Sequence, residues 1–357
     1  MEQKRLYIDL HVLQTVPPSC LNRDDTGSPK TAVYGGTTRA RVSSQSWKRA
    51  VRLMFRQELL PKEQLGERTK KIVAMVAGEI SKLAPDRDSV KLAMDALKYA
   101  GLDKVNEDKG TDALFFMSYD QAGALAKLIV AGSDDKKAYK EALKEKPSVD
   151  MVLFGRMVAN DPSLNYDAAA QVAHSISTHP VQNEYDYFTA VDDRAPEDNV
   201  GAGHLGTVEY NSATLYRYAT VNLMELSEHL GKEMTPAVVR AFAEAFIRSM
   251  PTGKQNTFAN RTLPDAVYLT IREDQPVNLC GAFERAVPAS LEGYVEPSKR
   301  RLVEYAQQMY QTYADAPGEA LTIGTGLEQL AQPMPLKAAL SAVEDAVRRR
   351  LGGNGVA

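Results

Sequence analysis

Cysteine is nearly absent: Cys20 and Cys280 are the only two in 357 residues. Two thiols so far apart support neither a disulfide scaffold nor a zinc site, and they suit a reducing cytoplasm. Long apolar runs are also missing, so no segment reads as a membrane span, and Met1-Glu2-Gln3-Lys4-Arg5 opens the chain without a signal-peptide core. No Gly-Lys-Ser/Thr step opens a helix, which argues against a P-loop and nucleotide-triphosphate chemistry. Gly-x-Ser-x-Gly and Cys/His nucleophile patterns are missing as well. No internal repeat is visible, so any repetition must come from copies of the chain.

One absence is local. From Thr26 to Gln57 there is no Asp or Glu, while Lys30, Arg39, Arg41, Lys48, Arg49, Arg52 and Arg56 all fall there. The net charge is −3, so this stretch of +7 leaves −10 for everything else. A mildly acidic chain that concentrates its positive charge in one place carries the footprint of a polyanion-binding face. Ser43-Ser44 supplies a helix start, and the spacing predicts a helix from Ser44 to Leu60. At roughly 100° per residue, Lys48, Arg52, Arg56 and Arg49 share an arc of about 100°. Trp47, Ala50, Val51 and Met54 share the opposite arc and form the buried side. Ordinary solvated faces mix signs for i,i+4 pairing; this one does not before Glu58. Ser43, Ser44 and Gln45 would offer free N–H groups to a phosphate, and the Gly35-Gly36 step would allow close backbone approach to a ligand.

Further blocks carry a specific resemblance. His11-Val12-Leu13, Leu21-Asn22-Arg23-Asp24-Asp25, Tyr34-Gly35-Gly36 and Arg41-Val42-Ser43-Ser44-Gln45-Ser46-Trp47-Lys48-Arg49-Ala50 resemble the CasC family. That family supplies the repeated backbone subunit of Cascade, the type I-E CRISPR surveillance complex. Gly155-Arg156-Met157, Phe188-Thr189-Ala190-Val191-Asp192-Asp193, His204-Leu205-Gly206-Thr207, Tyr216-Arg217-Tyr218-Ala219 and Gly253-Lys254-Gln255 follow in the family's order.

The resemblance implies an α+β fold laid out like a hand: an RRM-like (ferredoxin-like) palm, a large helical fingers insertion and a thumb β-hairpin. It divides the chain into a first palm part at 1–60, fingers at 61–180, the thumb at 181–214 and a second palm part at 215–357. The patterns agree. Leu6, Ile8, Leu10 and Val12 alternate with Tyr7, Asp9 and His11 as a half-buried strand. Helices are expected at Glu67–Leu83, Ser89–Ala100, Tyr119–Ala131, Lys136–Glu145 and Asp167–Ser177, and later at about 301–315 and 335–350. Strands are expected at Tyr185–Val191, Leu215–Val221 and Ala266–Ile271, with a breaker-rich tip from Arg194 to Gly203.

Carried over by motif, Ser43, Gln45, Lys48 and Arg52 look like contacts to the guide RNA backbone, with Arg23 nearby. Lys30, Arg39, Arg41 and Arg49 extend the basic strip, and Lys254-Gln255 follow a turn able to reach a phosphate. Met157 resembles a finger residue beside a displaced base, although the residue pattern alone reads it as core. Thr189 and Leu205 resemble thumb residues at a kink. Thr37-Thr38 stand where the family often has more basic residues, so contacts there are expected to be weaker or to be supplied elsewhere. The chain lacks the Lys/Arg-Gly-aromatic motif with which RRM sheets read bases, so contacts to the guide are expected to ignore sequence. The implied partners are CRISPR guide RNA, target DNA paired to it, neighbouring copies of the chain and other Cascade subunits, with no membrane, cofactor or metal.

Two other readings compete. Asp24-Asp25 could bind a divalent ion in a metal-dependent ribonuclease; the plainer reading has them cap a turn at Thr26-Gly27 and pair with Arg23. Consecutive side chains seldom chelate one ion, and His174 and His179 are badly spaced for a metal pair on a helix. A monomeric single-strand RNA chaperone differs from the assembly reading by its oligomeric state on long RNA.

Overall fold

The computed structural model describes residues 5–102, 105–106, 110–158, 161–190, 193–194 and 204–352, with His204 and Leu205 described in their backbone only. The chain divides into two compact units.

One unit comprises Met1–Leu53, Val172–Thr220 and Phe242–Val347. It is built on a large sheet ordered Glu319–Gly324, Ala266–Arg272, Tyr7–Ser19, His204–Asn222, Ser175–Ser177, Thr37–Val42, Thr31–Tyr34. The N-terminal strand lies inside the sheet, antiparallel to Ala266–Arg272 from Tyr7↔Arg272 to Leu13↔Ala266. Both of its faces are covered as well, and of the residues read as alternating only Tyr7 stays half-buried: Asp9 is 0 % and His11 1 % exposed. The polar members are tolerated because they find partners. The Asp9 carboxylate accepts from the Tyr218 hydroxyl at 2.9 Å and the Val277 N–H at 2.9 Å. His11 sits among the rings of Tyr216, Tyr218 and Tyr268. Those tyrosines share a core with Phe283, Leu302 and Ala306.

The basic segment forms the expected helix, α-helical over Ser44–Met54 and closing with a π-turn at Phe55–Leu59. Its apolar arc is buried as the periodicity predicts, with Trp47, Ala50, Val51 and Met54 all under a tenth exposed. The Trp47 indole N–H donates to Ser175 Oγ at 2.9 Å, which fastens the helix to the sheet.

The expected arm is present as two antiparallel strands, Glu184–Ala190 and His204–Asn222, in register from Glu184↔Tyr210 to Ala190↔His204. The second strand continues into the sheet, and every residue of the first is exposed. Phe188 faces Gly206, where an added Cβ would stand 2.4 Å from the ring, so glycine there seats the aromatic. Beyond Arg194, the tip read from the sequence lies outside the described residues.

The helix expected over Asp167–Ser177 is not formed. Ala170–Val172 and Ser175–Ser177 are strands, and the second pairs Val42↔Ser175 and Tyr216↔Ile176. Sheet pairing overrides the helical preference of the three alanines.

The other unit comprises Met54–Gln171, Val221–Ala241 and Arg348–Ala357. It thus takes in stretches after 220 that the sequence reading assigned to the palm. Helices Ile72–Leu83, Ser89–Tyr99, Tyr119–Val130 and Lys136–Ala142 surround a core that includes Val76, Ile80, Leu97 and Leu125. Caps fix their starts: Asp88 accepts from the Lys91 N–H, Asp135 from Lys137 and Ala138, and Ser118 and Gln121 form a capping box. The first helix begins at Ile72 rather than Glu67 because Gly66–Thr69 pairs as a strand with Phe115–Ser118.

Candidate nucleic-acid interface

The outer arc of the basic helix presents Gln45, Arg49 and Arg56 as exposed and Lys48 and Arg52 as half-buried. Among the described residues neither Lys48 nor Arg49 has a carboxylate partner. Burial pushes the Lys48 ammonium below its ordinary pKa. A cation held partly out of water without a counter-charge gains when an anion arrives.

The helix start is more committed than the sequence implies. Ser43 is buried and caps the helix, its Oγ accepting the Ser46 N–H at 3.4 Å and its carbonyl accepting Trp47 at 3.2 Å. The Ser44 N–H donates to His174 Nδ1 at 3.4 Å. Of the three N–H groups expected to meet a phosphate, Ser43 donates to Asn22 Oδ1 at 2.9 Å and Ser44 to His174, which leaves Gln45. Ser43 shapes the helix end instead of facing outward.

Two readings are corrected. Arg39 does not belong to the basic strip: it is fully buried and spends its donors on the chain itself. Nε donates to Thr37 Oγ1 at 2.9 Å, Nη1 to the Ser177 carbonyl at 2.8 Å, and Nη2 to the carbonyls of Phe283 at 2.9 Å and Glu284 at 3.2 Å. Gly35 does not serve a ligand's approach either. An added Cβ would stand 1.6 Å from the Glu284 carbonyl oxygen, so the close approach is to the protein's own backbone.

The loop before the strip joins it to a second basic point. Asn22, whose side chain accepts the Ser43 N–H, accepts the Lys30 N–H with its carbonyl at 2.9 Å, and Lys30 in turn accepts the Arg41 N–H at 2.9 Å. Arg23 and Lys30 flank the turn between them. Gly253 is pressed against this loop, since a Cβ there would lie 2.1 Å from the Leu21 carbonyl oxygen. That contact brings Lys254 alongside: burial pushes the Cys20 thiol up, while Arg23 and then Lys254 act on it in the opposite sense. Lys254 holds left-handed backbone at φ 49°, uncommon for a residue with a side chain, and Gln255 opens the short helix that follows. Gln45, Lys48, Arg49, Arg52, Arg41, Lys30, Arg23 and Lys254 thus belong to one connected region of a single unit.

Asp24 caps the turn, accepting from the Thr26 N–H at 2.9 Å, the Thr26 hydroxyl at 2.7 Å and the Ser28 N–H at 3.0 Å. These bonds, that of the Thr26 hydroxyl foremost, hold its carboxyl below the usual range. The expected pairing with Arg23 is not formed among the described residues. No group of three His, Cys, Asp or Glu stands close enough to hold a metal ion among the described residues. His179 is buried and stacked on Tyr294 at 3.6 Å, well separated in role from exposed His174.

On the arm, Thr189 is exposed and lies directly opposite Leu205. Met157 is 86 % exposed on its own unit, against the core reading that its residue pattern favours. Sequence reasoning missed the exposed Tyr185 and Tyr187 on the arm, and it missed His174, which contacts the helix start and Arg41 together.

Sheet and helices define a mixed α+β protein, and a connected basic region lies on the unit that carries the large sheet. The chain belongs to the CT1975-like protein family, whose profile matches residues 8–347. Among solved structures it is similar to a chain of a "CRISPR RNA-guided surveillance complex, pre-nicking", 33% identical over 94% of this chain and 100% of that one, TM-score 0.76. A chain of a "CRISPR RNA-guided surveillance complex" is 30% identical over 94% of this chain and 99% of that one, TM-score 0.62. No curated protein matches. The CasC resemblance of the motifs agrees with both findings. Among the described residues no helix is long and apolar enough to cross a membrane.

Proposed function

We propose that this chain is a non-catalytic, RNA-binding backbone subunit of a type I-E Cascade, polymerising along CRISPR guide RNA in the cytoplasm and presenting it for pairing with target DNA. The observation that carries the reading is the connected basic region formed by Gln45, Lys48, Arg49 and Arg52 of the Ser44–Met54 helix with the Arg23 loop, in a chain 33% identical to a surveillance-complex subunit. Phosphates are common to every guide, so contacts from Arg23, Lys30, Arg41, Gln45, Lys48, Arg49, Arg52, Lys254 and Gln255 would hold any spacer, and base pairing would read the target. Ser43 fixes the helix end. The central N-terminal strand, flanked by its sheet neighbours, supports a ferredoxin-like palm; the helical unit would be the fingers and the strands from Glu184 and His204 the thumb. Thr189 and Leu205 would meet nucleic acid and the adjoining copy at the arm. Met157 has the exposure that a finger contact to a base requires.

Heterologous head-to-tail contacts would set filament length by the length of the RNA. Sizing the nucleic acid that co-purifies with the chain tests the proposal. A discrete band near one guide length is expected; protein free of RNA would overturn it, and monomers on long RNA would favour a chaperone.

A further inference from the structure

His174 is exposed, yet its ring is aimed inward at the basic region. Two groups converge on Nδ1: the Ser44 N–H at 3.4 Å and Arg41 Nη1 at 3.3 Å. Both are donors without lone pairs to offer, so Nδ1 must be the acceptor. That assigns the ring proton to Nε2, and the neutral tautomer is fixed by geometry. Nδ1 therefore occupies the place of an anion: the start of a helix and an arginine point at it as they would at a phosphate oxygen. Arg41 is steadied from its other side, with Nε donating to the Thr31 carbonyl at 3.1 Å.

We propose that His174 is a positioning residue of the guide-backbone site: neutral, its imidazole keeps the Arg41 guanidinium and the Ser44 N–H aimed at one point, and charged, it joins them on a single phosphate. This rests on the RNA-backbone reading above and adds to it a residue that no motif contains. A protonated Nδ1 cannot accept either donor, so the charged ring faces Arg41 and the positive end of the helix unless an anion lies between them. The charged groups acting on the ring are Arg41, on the Thr37–Val42 strand, and Lys30, in the loop before Thr31; together with burial, the largest cause, they hold its pKa below the ordinary histidine value. No carboxylate among the described residues opposes them. A bound phosphate reverses the balance, so RNA binding and proton uptake at His174 favour each other.

The test measures affinity for a short labelled oligouridylate between pH 8 and pH 6, for the wild-type chain and His174→Asn. Asn can accept from Arg41 and Ser44 through its side-chain oxygen but does not titrate. Wild-type binding should tighten roughly three- to fivefold toward pH 6 for about one unit of pKa rise on binding. The variant's affinity should stay flat across the same range. Histidine-selective NMR on the wild-type chain gives an independent readout: the His174 pKa should rise when the oligouridylate is added. An unmoved His174 pKa, or a variant that keeps the wild-type pH slope, overturns the proposal. Wild-type chain that fails to bind at pH 8 would instead overturn the RNA reading itself, so the two failures are distinguishable.

Discussion

The Arg217 guanidinium lies over the Trp47 ring, 3.8 Å from its centroid, and this contact ties the basic helix to the sheet beneath it. The same group lies 4.7 Å from the Phe246 ring, donates to Gln14 Oε1 at 2.5 Å and donates to the Phe246 carbonyl. Burial lowers its pKa to about 9, which still leaves it charged at neutral pH. Arg217→Ala would strip a desolvated cation–π contact and leave buried acceptors unpaired, at a cost of about 3 kcal/mol or more. Trp47 is the only tryptophan, so its emission during urea denaturation reports directly on this contact. An unchanged urea midpoint would show that the helix is held by something else.

Lys48 and Arg39 should behave as opposites. Lys48→Ala removes an outward cation, so RNA binding should weaken equally across sequences, and the salt slope should fall by roughly 0.7 per lost contact to a single strand. Folding should be nearly unaffected. Arg39→Ala instead orphans the carbonyls of Ser177, Phe283 and Glu284, and a stability loss of about 3 kcal/mol is expected before any change in salt slope. A salt-slope change in a normally stable Arg39→Ala protein would return that residue to the interface.

The left-handed backbone of Lys254 offers a separation of stability from binding. Glycine adopts φ 49° without the Cβ penalty, so Lys254→Gly should stabilise the fold by up to about 1 kcal/mol. The lost ammonium should weaken RNA binding at the same time. Thermal denaturation and filter binding measure the two effects, and a variant that binds as tightly as wild type would remove Lys254 from the site.

These contrasts mark what was legible in the residues. The helix could be read because its charge and its apolar period segregate on opposite arcs, and local chemistry decides both. The first arm strand could be read from Tyr185, Tyr187 and Phe188; its partner could not, because the segment paired with it, from His204 to Tyr210, precedes the strand expected at Leu215–Val221. Arg39 could not, because what buries it is a set of carbonyls at 177, 283 and 284 that only the folded sheet brings together. His174 was hidden by the same cause: its neighbours Ser44 and Arg41 are more than a hundred residues away, and the stretch around it reads as helix until sheet pairing makes strands of Ala170–Val172 and Ser175–Ser177 on either side of it. Asp9 and His11 look solvent-facing in an alternating pattern, yet a central strand covered on both faces buries them.

His11 makes stability depend on acid. The Tyr216 hydroxyl lies 2.9 Å from His11 Nδ1, 3.3 Å from Asn278 Oδ1, and accepts the Leu279 N–H at 3.1 Å, while His11 Nε2 is buried without a partner among the described residues. Burial, with Arg272 adding repulsion, lowers the pKa to about 3 from an ordinary 6.5. The folded state therefore refuses a proton that the unfolded state takes up below 6.5. Stability is full above that pH and falls as pH drops toward 3, by about 2 kcal/mol from this residue at pH 5. Urea midpoints at pH 7.5 and pH 5 should differ accordingly, and His11→Asn should narrow the gap by that amount. An equal gap in both proteins would refute the assignment.

Asp24 separates a scaffold from a nuclease. It lies in the loop that carries Arg23 and leads to Lys30, so a metal bound there would stand beside the proposed RNA and could in principle cut it. Its carboxylate is instead committed to the turn through Thr26 and Ser28. A guide carrier must also protect its RNA for the life of the complex. The guide-loaded assembly, incubated in excess Mg²⁺ or Mn²⁺ with labelled complementary RNA and, separately, complementary DNA, should leave both strands and the guide intact. Asp24→Ala and Asp25→Ala should then alter only the order of the loop, most for Asp24, because it alone accepts the turn's hydrogen bonds. Regularly spaced cuts, one per copy of the chain, that vanish in either variant would replace the scaffold reading with a metal-dependent ribonuclease. Intact strands would leave destruction of the target to a separate nuclease.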